Sequence, residues 1–259
     1  LCSNNLFSKD ILLEELYRFS PSPEIRTWMT SAVGIARMLV SVGSRPLLNN
    51  PDDVEINLTN FKIEVEAGAL VDPLAVPEFQ GVPDIRQSYF LKLYLINAPL
   101  FYLAIRGLAK GYTLMNEVIQ DQGLLELIRL TRLEIEAALL NEFRLDPLAV
   151  RTLSDQGFQK LLLPSDEKLS RLTKRTSDKL TRDERIMGPA LLALKHGVSP
   201  DLCTRNIAAF LDLAEVGVGT LERNDALIRE GRMGYLTRKC GLTSEEIRWF
   251  TPRLEKRVY

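Results

Sequence analysis

Apolar residues recur at helical spacing along most of this chain. Ile11, Leu12, Leu16 and Phe19 trace a short first helix, stopped by Ser20-Pro-Ser-Pro23. Ser22 as a cap and Pro23 at the first position predict a second helix, carrying Ile25, Trp28, Met29, Val33, Ala36, Leu39 and Val40 towards Gly43. Between 44 and 87 the pattern breaks at Pro46, Pro51, Pro73, Pro77 and Pro83. Inside that region Val54-Glu-Ile-Asn-Leu58 and Phe61-Lys-Ile-Glu-Val65 alternate apolar and polar residues on either side of Thr59-Asn60, which predicts a β-hairpin over about 54–65. From 88 the helical period returns. Tyr89 to Leu108 is apolar on most sides and should be central to the core. Glu117–Phe143 forms a long amphipathic tract with a joint at Gly123, and Pro147, Pro164, Pro189, Pro200 and Pro252 punctuate shorter helices beyond it. The predicted class is mostly α, a multi-helix globular fold with one small β-hairpin.

The most apolar stretch is Leu91–Ile105. Lys92, Asn97 and Pro99 interrupt it and Arg106 ends it, so it predicts a buried helix rather than a membrane span. No secretory leader is legible, and Leu1 in place of Met allows for a chain that starts inside a longer one.

Charge changes this picture more than overall composition does. The net charge is −1, but residues 1–150 sum to −6 and residues 151–259 to +5. That split predicts an acidic helical half with the hairpin inserted in it and a basic helical half, as two domains or one continuous one. The basic half holds the densest cationic run, Lys168 to Arg185. Wound at about 100° per residue, it gathers Lys168, Arg171, Lys174, Arg175, Lys179, Arg182 and Arg185 into one arc of roughly 140°. Asp178 interrupts that arc, and Leu169, Leu172 and Leu180 fall outside it. A helix with a cationic side and a narrow apolar seam is the footprint of a polyanion partner.

Several kinds of chemistry have little to work with. Cys2, Cys203 and Cys240 are few, odd in number and far apart, which fits a reducing, cytoplasmic setting and no disulfide framework. His196 is the one histidine, so neither a clustered zinc site nor a serine or cysteine triad has material to draw on. Beside Gly197, His196 reads as a cation at a helix C-terminus. Gly217-Val-Gly219 lacks the third glycine and the lysine of a phosphate-cradling loop, and no cofactor or metal is expected. Asp52-Asp53-Val-Glu55 and Asn224-Asp225 with Glu230 resemble the metal-binding acids of class I terpene synthases, but the spacing differs and aromatic residues make up only 7% of the chain.

A second segment, Leu236 to Phe250, resembles the DNA-binding helix-turn-helix motif. Leu236, Thr237, Gly241, Leu242, Thr243 and Ile247 carry the resemblance, with Gly241 at the turn and Thr243 and Glu246 as a capping box. The resemblance implies that Ser244, Glu245 and Arg248 face a groove, although Glu245 and Glu246 bring negative charge to where phosphates approach. Trp249 reads as a core plug. Together these features predict a non-enzymatic, oligomeric helical protein without membrane contact. Lys168, Arg171, Lys174, Arg175, Lys179, Arg182, Arg185 and Arg248 would neutralise nucleic-acid backbone without reading sequence, as in a coat or nucleoprotein subunit. The alternative is a protein–protein scaffold that binds no RNA or DNA.

Overall fold

The computed structural model describes residues 8–20, 22–32, 35–46, 56–69, 79–218, 221 and 223–255. Contacts divide the chain into two compact units, Leu1–Tyr89 and Phe90–Tyr259. In the first, helices α1 (Ser8–Phe19) and α2 (Pro23–Ala32) precede strands β1 (Met38–Pro46), β2 (Ile56–Glu66) and β3 (Phe79–Val82). The sheet order is β1-β2-β3, with β1 antiparallel and β3 parallel to β2. The fold class is therefore the expected one, mostly helical with a small sheet, but the strands pair differently. β2 runs without a turn through Thr59 and Asn60, and Thr59 pairs with Gly43. Between Ser41↔Lys62 and Gly43↔Thr59 the register shifts, so that Asn60 and Phe61 oppose Val42 alone, the count of a β-bulge. The hairpin partner is Met38–Pro46, whose first residues the helical spacing had assigned to the second helix. Long-range pairing overrides that local period, and Leu39, Ile63 and Val65 become buried. Lys9 and Arg37 both approach the Glu66 carboxylate, at 3.3 and 3.9 Å.

A continuous helix begins in the last residues of the first unit and runs on as the centre of the second. α3 (Ile85–Lys92) passes through a π-helical turn (Leu93–Asn97) into α4 (Ala98–Ala109). By length and composition Ile85–Ala109 could cross a membrane, yet most of its apolar window is buried inside the protein, as in a core helix. Leu95, Ala98, Tyr102, Leu103, Ala104 and Ile105 are fully buried. Around α4 pack α5 (Met115–Val118), α6 (Gln122–Phe143), α8 (Leu169–Leu172) and α11 (Asp201–Val216). α7 (Pro147–Leu161) lies against α6. α9 (Thr176–Lys179) and α10 (Gly188–Lys195) precede α11, and α12 (Asp225–Cys240) and α13 (Ser244–Leu254) follow it.

Side chains close several of these helix N-termini. Asp121 accepts from Leu124 N–H at α6, so the joint expected at Gly123 falls just before that helix. Asp146 accepts from Leu148 and Ala149 N–H at α7, with Pro147 at the first position. The start of α11 is capped from a distance. Its N-cap is Pro200, and the Glu134 carboxylate of α6 accepts from Leu202 N–H (2.8 Å) and Cys203 N–H (3.0 Å).

Two buried arginines then tie helices together. Arg132 donates from α6 to Ser154 Oγ and Asp155 Oδ1 of α7 and lies over the Phe158 ring at 4.6 Å. Arg232 of α12 reaches Asp212 and Glu215 of α11 and the Leu254 carbonyl that ends α13. Replacing Arg232 with Met should strand two partly buried carboxylates and one carbonyl. The expected loss, read as the shift in urea-denaturation free energy, is about 3–5 kcal/mol.

Candidate functional site

The cationic run does not form one helix. α8 ends at Leu172, Arg175 adopts a left-handed backbone (φ 55°), α9 ends at Lys179, and turns lead on to α10. The expected phosphate-facing side is thereby taken apart. Arg171 pairs with Glu167 (2.7 Å), Arg175 with Asp178 (3.1 Å), Arg185 with Glu184 (3.1 Å) and Arg182 with Glu246 (2.5 Å). Lys179 turns inward and donates to the Leu172 carbonyl (2.8 Å) and the Lys174 carbonyl (2.5 Å), with its ammonium 5.7 Å from the Phe101 ring centre. Burial, with help from the nearby charges of Arg185 and Arg175, pulls its pKa from 10.5 down to about 8. Lys168, Lys174 and Arg248 stay exposed but stand on three separate pieces of backbone, before α8, after it and on α13.

The helix-turn-helix geometry is present locally. Gly241 takes the left-handed angle (φ 59°) between α12 and α13, and Thr243 and Glu246 form the capping box. Glu246, however, is held by Arg182, whose guanidinium also donates to the Gly241 carbonyl, so the turn is fastened to the segment before α10. Phe250, not Trp249, plugs the core. Trp249 is half-buried beneath Arg253, 3.8 Å from its ring centre. His196 caps α10 as expected, and its Nε2 lies 2.6 Å from Glu142 Oε2, an oxygen that also receives Lys195. Among the described residues no cluster of three or more His, Cys, Asp or Glu could hold a metal ion, and Asp52 and Asp53 lie outside those residues.

A different pair of polar residues stands out. Lys92 and Asn97 interrupt the core helix and bracket its π turn, where Ala98 N–H donates to Leu93 O. In an α-helix, residues five apart sit roughly 140° from one another. A turn closed by i→i+5 bonds brings them almost into line, and such turns collect at functional sites. Both side chains are half-buried. Asn97 stands before α4 without capping it, and its amide makes no hydrogen bond to any described residue. The helix thus presents an amine and an amide on one side. The spacing of five was visible in the sequence, but it means little until the turn is known to be π.

Comparison with known proteins places this arrangement in context. No family model matches the chain. It is 23% identical over 216 residues to a mannitol-1-phosphate 5-dehydrogenase of Caldanaerobacter subterraneus subsp. tengcongensis, covering 81% of this chain and 55% of that protein. The corresponding enzyme of Thermoanaerobacter pseudethanolicus is 23% identical over 214 residues, covering 80% and 54%. Among solved structures, Pseudomonas fluorescens mannitol 2-dehydrogenase, determined with NAD and D-mannitol, superposes with a TM-score of 0.67 at 15% identity, covering 97% of this chain and 56% of that one. A substrate-free D-sorbitol dehydrogenase gives 0.59 at 16% identity, covering 90% and 54%. The chain spans about half the length of the relatives it matches. These similarities overturn the expectation of a non-enzymatic RNA- or DNA-binding coat or nucleoprotein subunit, since the relatives and structural neighbours are oxidoreductases. The physical reason agrees: four of the eight cations assigned to phosphate are already paired with this chain's own carboxylates, and Lys179 is bound to its backbone.

The position of Lys179 is testable through pH. Because folding lowers its pKa, the unfolded chain binds the proton more tightly between about 8 and 10.5. Its contribution therefore favours the folded state increasingly as pH rises through that window and is constant below it. Relative to a Lys179→Met variant, the denaturation midpoint of the natural chain should climb from pH 8 to 10.5. Parallel curves for the two proteins would remove the assignment.

Proposed function

We propose that this chain is the polyol-recognising, largely helical part of a cytoplasmic sugar-alcohol or sugar-alcohol phosphate oxidoreductase. The observation that carries the reading is the π turn that aligns Lys92 with Asn97, within a fold resembling that of a protein solved with D-mannitol. Vicinal hydroxyls need paired hydrogen-bonding groups that both donate and accept. A lysine ammonium donates, a carboxamide beside it both donates and accepts, and their partial burial shields the pair from bulk water. Oxidation of an alcohol also requires a group to take the hydroxyl proton. A half-buried lysine is suited to that role, with Asn97 holding the neighbouring hydroxyl.

NAD, present in the Pseudomonas structure, does not fit the residues described here. A dinucleotide pyrophosphate seeks a glycine-rich turn that opens a helix. Gly217 instead follows the C-terminus of α11, where carbonyls point outward and repel phosphate. The reading therefore confines this chain to the polyol and its proton.

Calorimetric titration with D-mannitol and D-mannitol 1-phosphate tests it. Saturable binding of at least one is expected, weakened about tenfold or more by Lys92→Met and by Asn97→Ala, since each removes a hydrogen-bonding group from a partly dry site. If neither compound binds, or if both variants bind as the natural chain does, the assignment fails.

A further inference from the structure

On the second unit lies a cavity of about 420 Å³ whose lining includes neither Lys92 nor Asn97 and which the polyol reading leaves unused. Phe90 and Tyr94 form one wall, with ring centres 5.1 Å apart, and the Tyr94 hydroxyl is pinned by donating to the Asp183 carbonyl. Gly188 completes that wall because any Cβ there would collide with the tyrosine ring. Opposite stand charged residues from four further pieces of the fold. Two of the cations are already answered: Lys195 is bound by Glu142, and Arg182 by Glu246 and the Gly241 carbonyl. Two carboxylates are not. Asp183 is half-buried and Glu245 exposed, and neither side chain makes a hydrogen bond or ion pair among the described residues. The Arg182 charge lies near Asp183, but both of its terminal nitrogens are engaged elsewhere. α6 and α10 also end at this cavity, through Glu142 and Lys195, and add the partial negative charge of their carbonyl termini.

We infer that this cavity binds an alkylammonium ligand, with the ammonium against Asp183 and the hydrocarbon stem along Phe90 and Tyr94. Three features select that class over the alternatives. The uncompensated charge is negative, which rejects phosphates and carboxylates. The aromatic wall favours a cation with an apolar stem over a hydrated metal ion. The volume admits a short amine with room for water. Burial raises the Asp183 carboxyl above its ordinary range, as expected of an acid facing a cavity without a counter-ion.

Titration calorimetry at low ionic strength with 1-aminobutane, 1,4-diaminobutane and magnesium chloride tests the site. Both amines should bind saturably. Asp183→Asn, which keeps the shape and removes the charge, should weaken them about tenfold, and Glu245→Gln about threefold. D-Mannitol titrated into the Asp183→Asn variant should behave as with the natural chain, so that failure of this site and failure of the polyol site are told apart. Three results would overturn the inference: no saturable amine binding, amine affinity unchanged in Asp183→Asn, or displacement of the amine by an equal concentration of magnesium.

Discussion

Apart from the single turn of α9, the segment from Thr173 to Ile186 is irregular backbone, and its carbonyls beside the core find donors there. Side chains supply them one after another. Lys179 takes the Leu172 and Lys174 carbonyls, and the Cys240 thiol takes Leu180. Tyr94 takes Asp183, and the fully buried Tyr102 takes Ile186. An unsatisfied buried carbonyl costs about 1–3 kcal/mol, so this set of donors decides whether the segment can leave the helical state at all. Because it can, the core helix that bears Tyr94 and Tyr102 is locked to the approach to α10, and Arg182 is carried to the turn between α12 and α13. The Tyr94 wall and the cavity beside it rest on this arrangement.

Charge in this protein is used mainly inward. Arg132 and Arg232 are almost fully buried and bridge helices, and Glu134 caps a helix far away in sequence. Glu142, from the acidic half of the sequence, meets Lys195 and His196 from the basic half. Such contacts consume the sequence-level charge asymmetry that would otherwise have pointed outward. Surface pairs such as Arg175 with Asp178 contribute little stability, since water screens them, but they still lower the positive potential that a polyanion would sense.

Much of the fold was legible in the sequence where local signals and tertiary packing agree. The core helix, the proline-led start of α7, the Gly241 turn and the Thr243 capping box all follow from short-range chemistry. What was not legible depended on distant partners. Leu39 and Val40 fit a helix period until β2 is available to pair with them. The run from Lys168 to Arg185 has good helical spacing, and the tyrosines of the core helix, the Cys240 thiol and Lys179's own ammonium supply the hydrogen bonds that its broken path needs. The candidate site was hidden for a related reason. Lys92 and Asn97 look like flaws in an apolar helix, because a spacing of five gains meaning only from a change of helix type that single-residue preferences do not encode.

That π turn amounts to one residue more than an α-helix needs over the same length. Remove any single residue between Lys92 and Asn97 and the backbone could heal into an uninterrupted α-helix, because the extra residue is what the wider turn absorbs. With the extra residue present, only the wider turn keeps the amine and the amide on one face; without it, a spacing of four would do the same in a plain α-helix, so chain length and helix type at this point are set together.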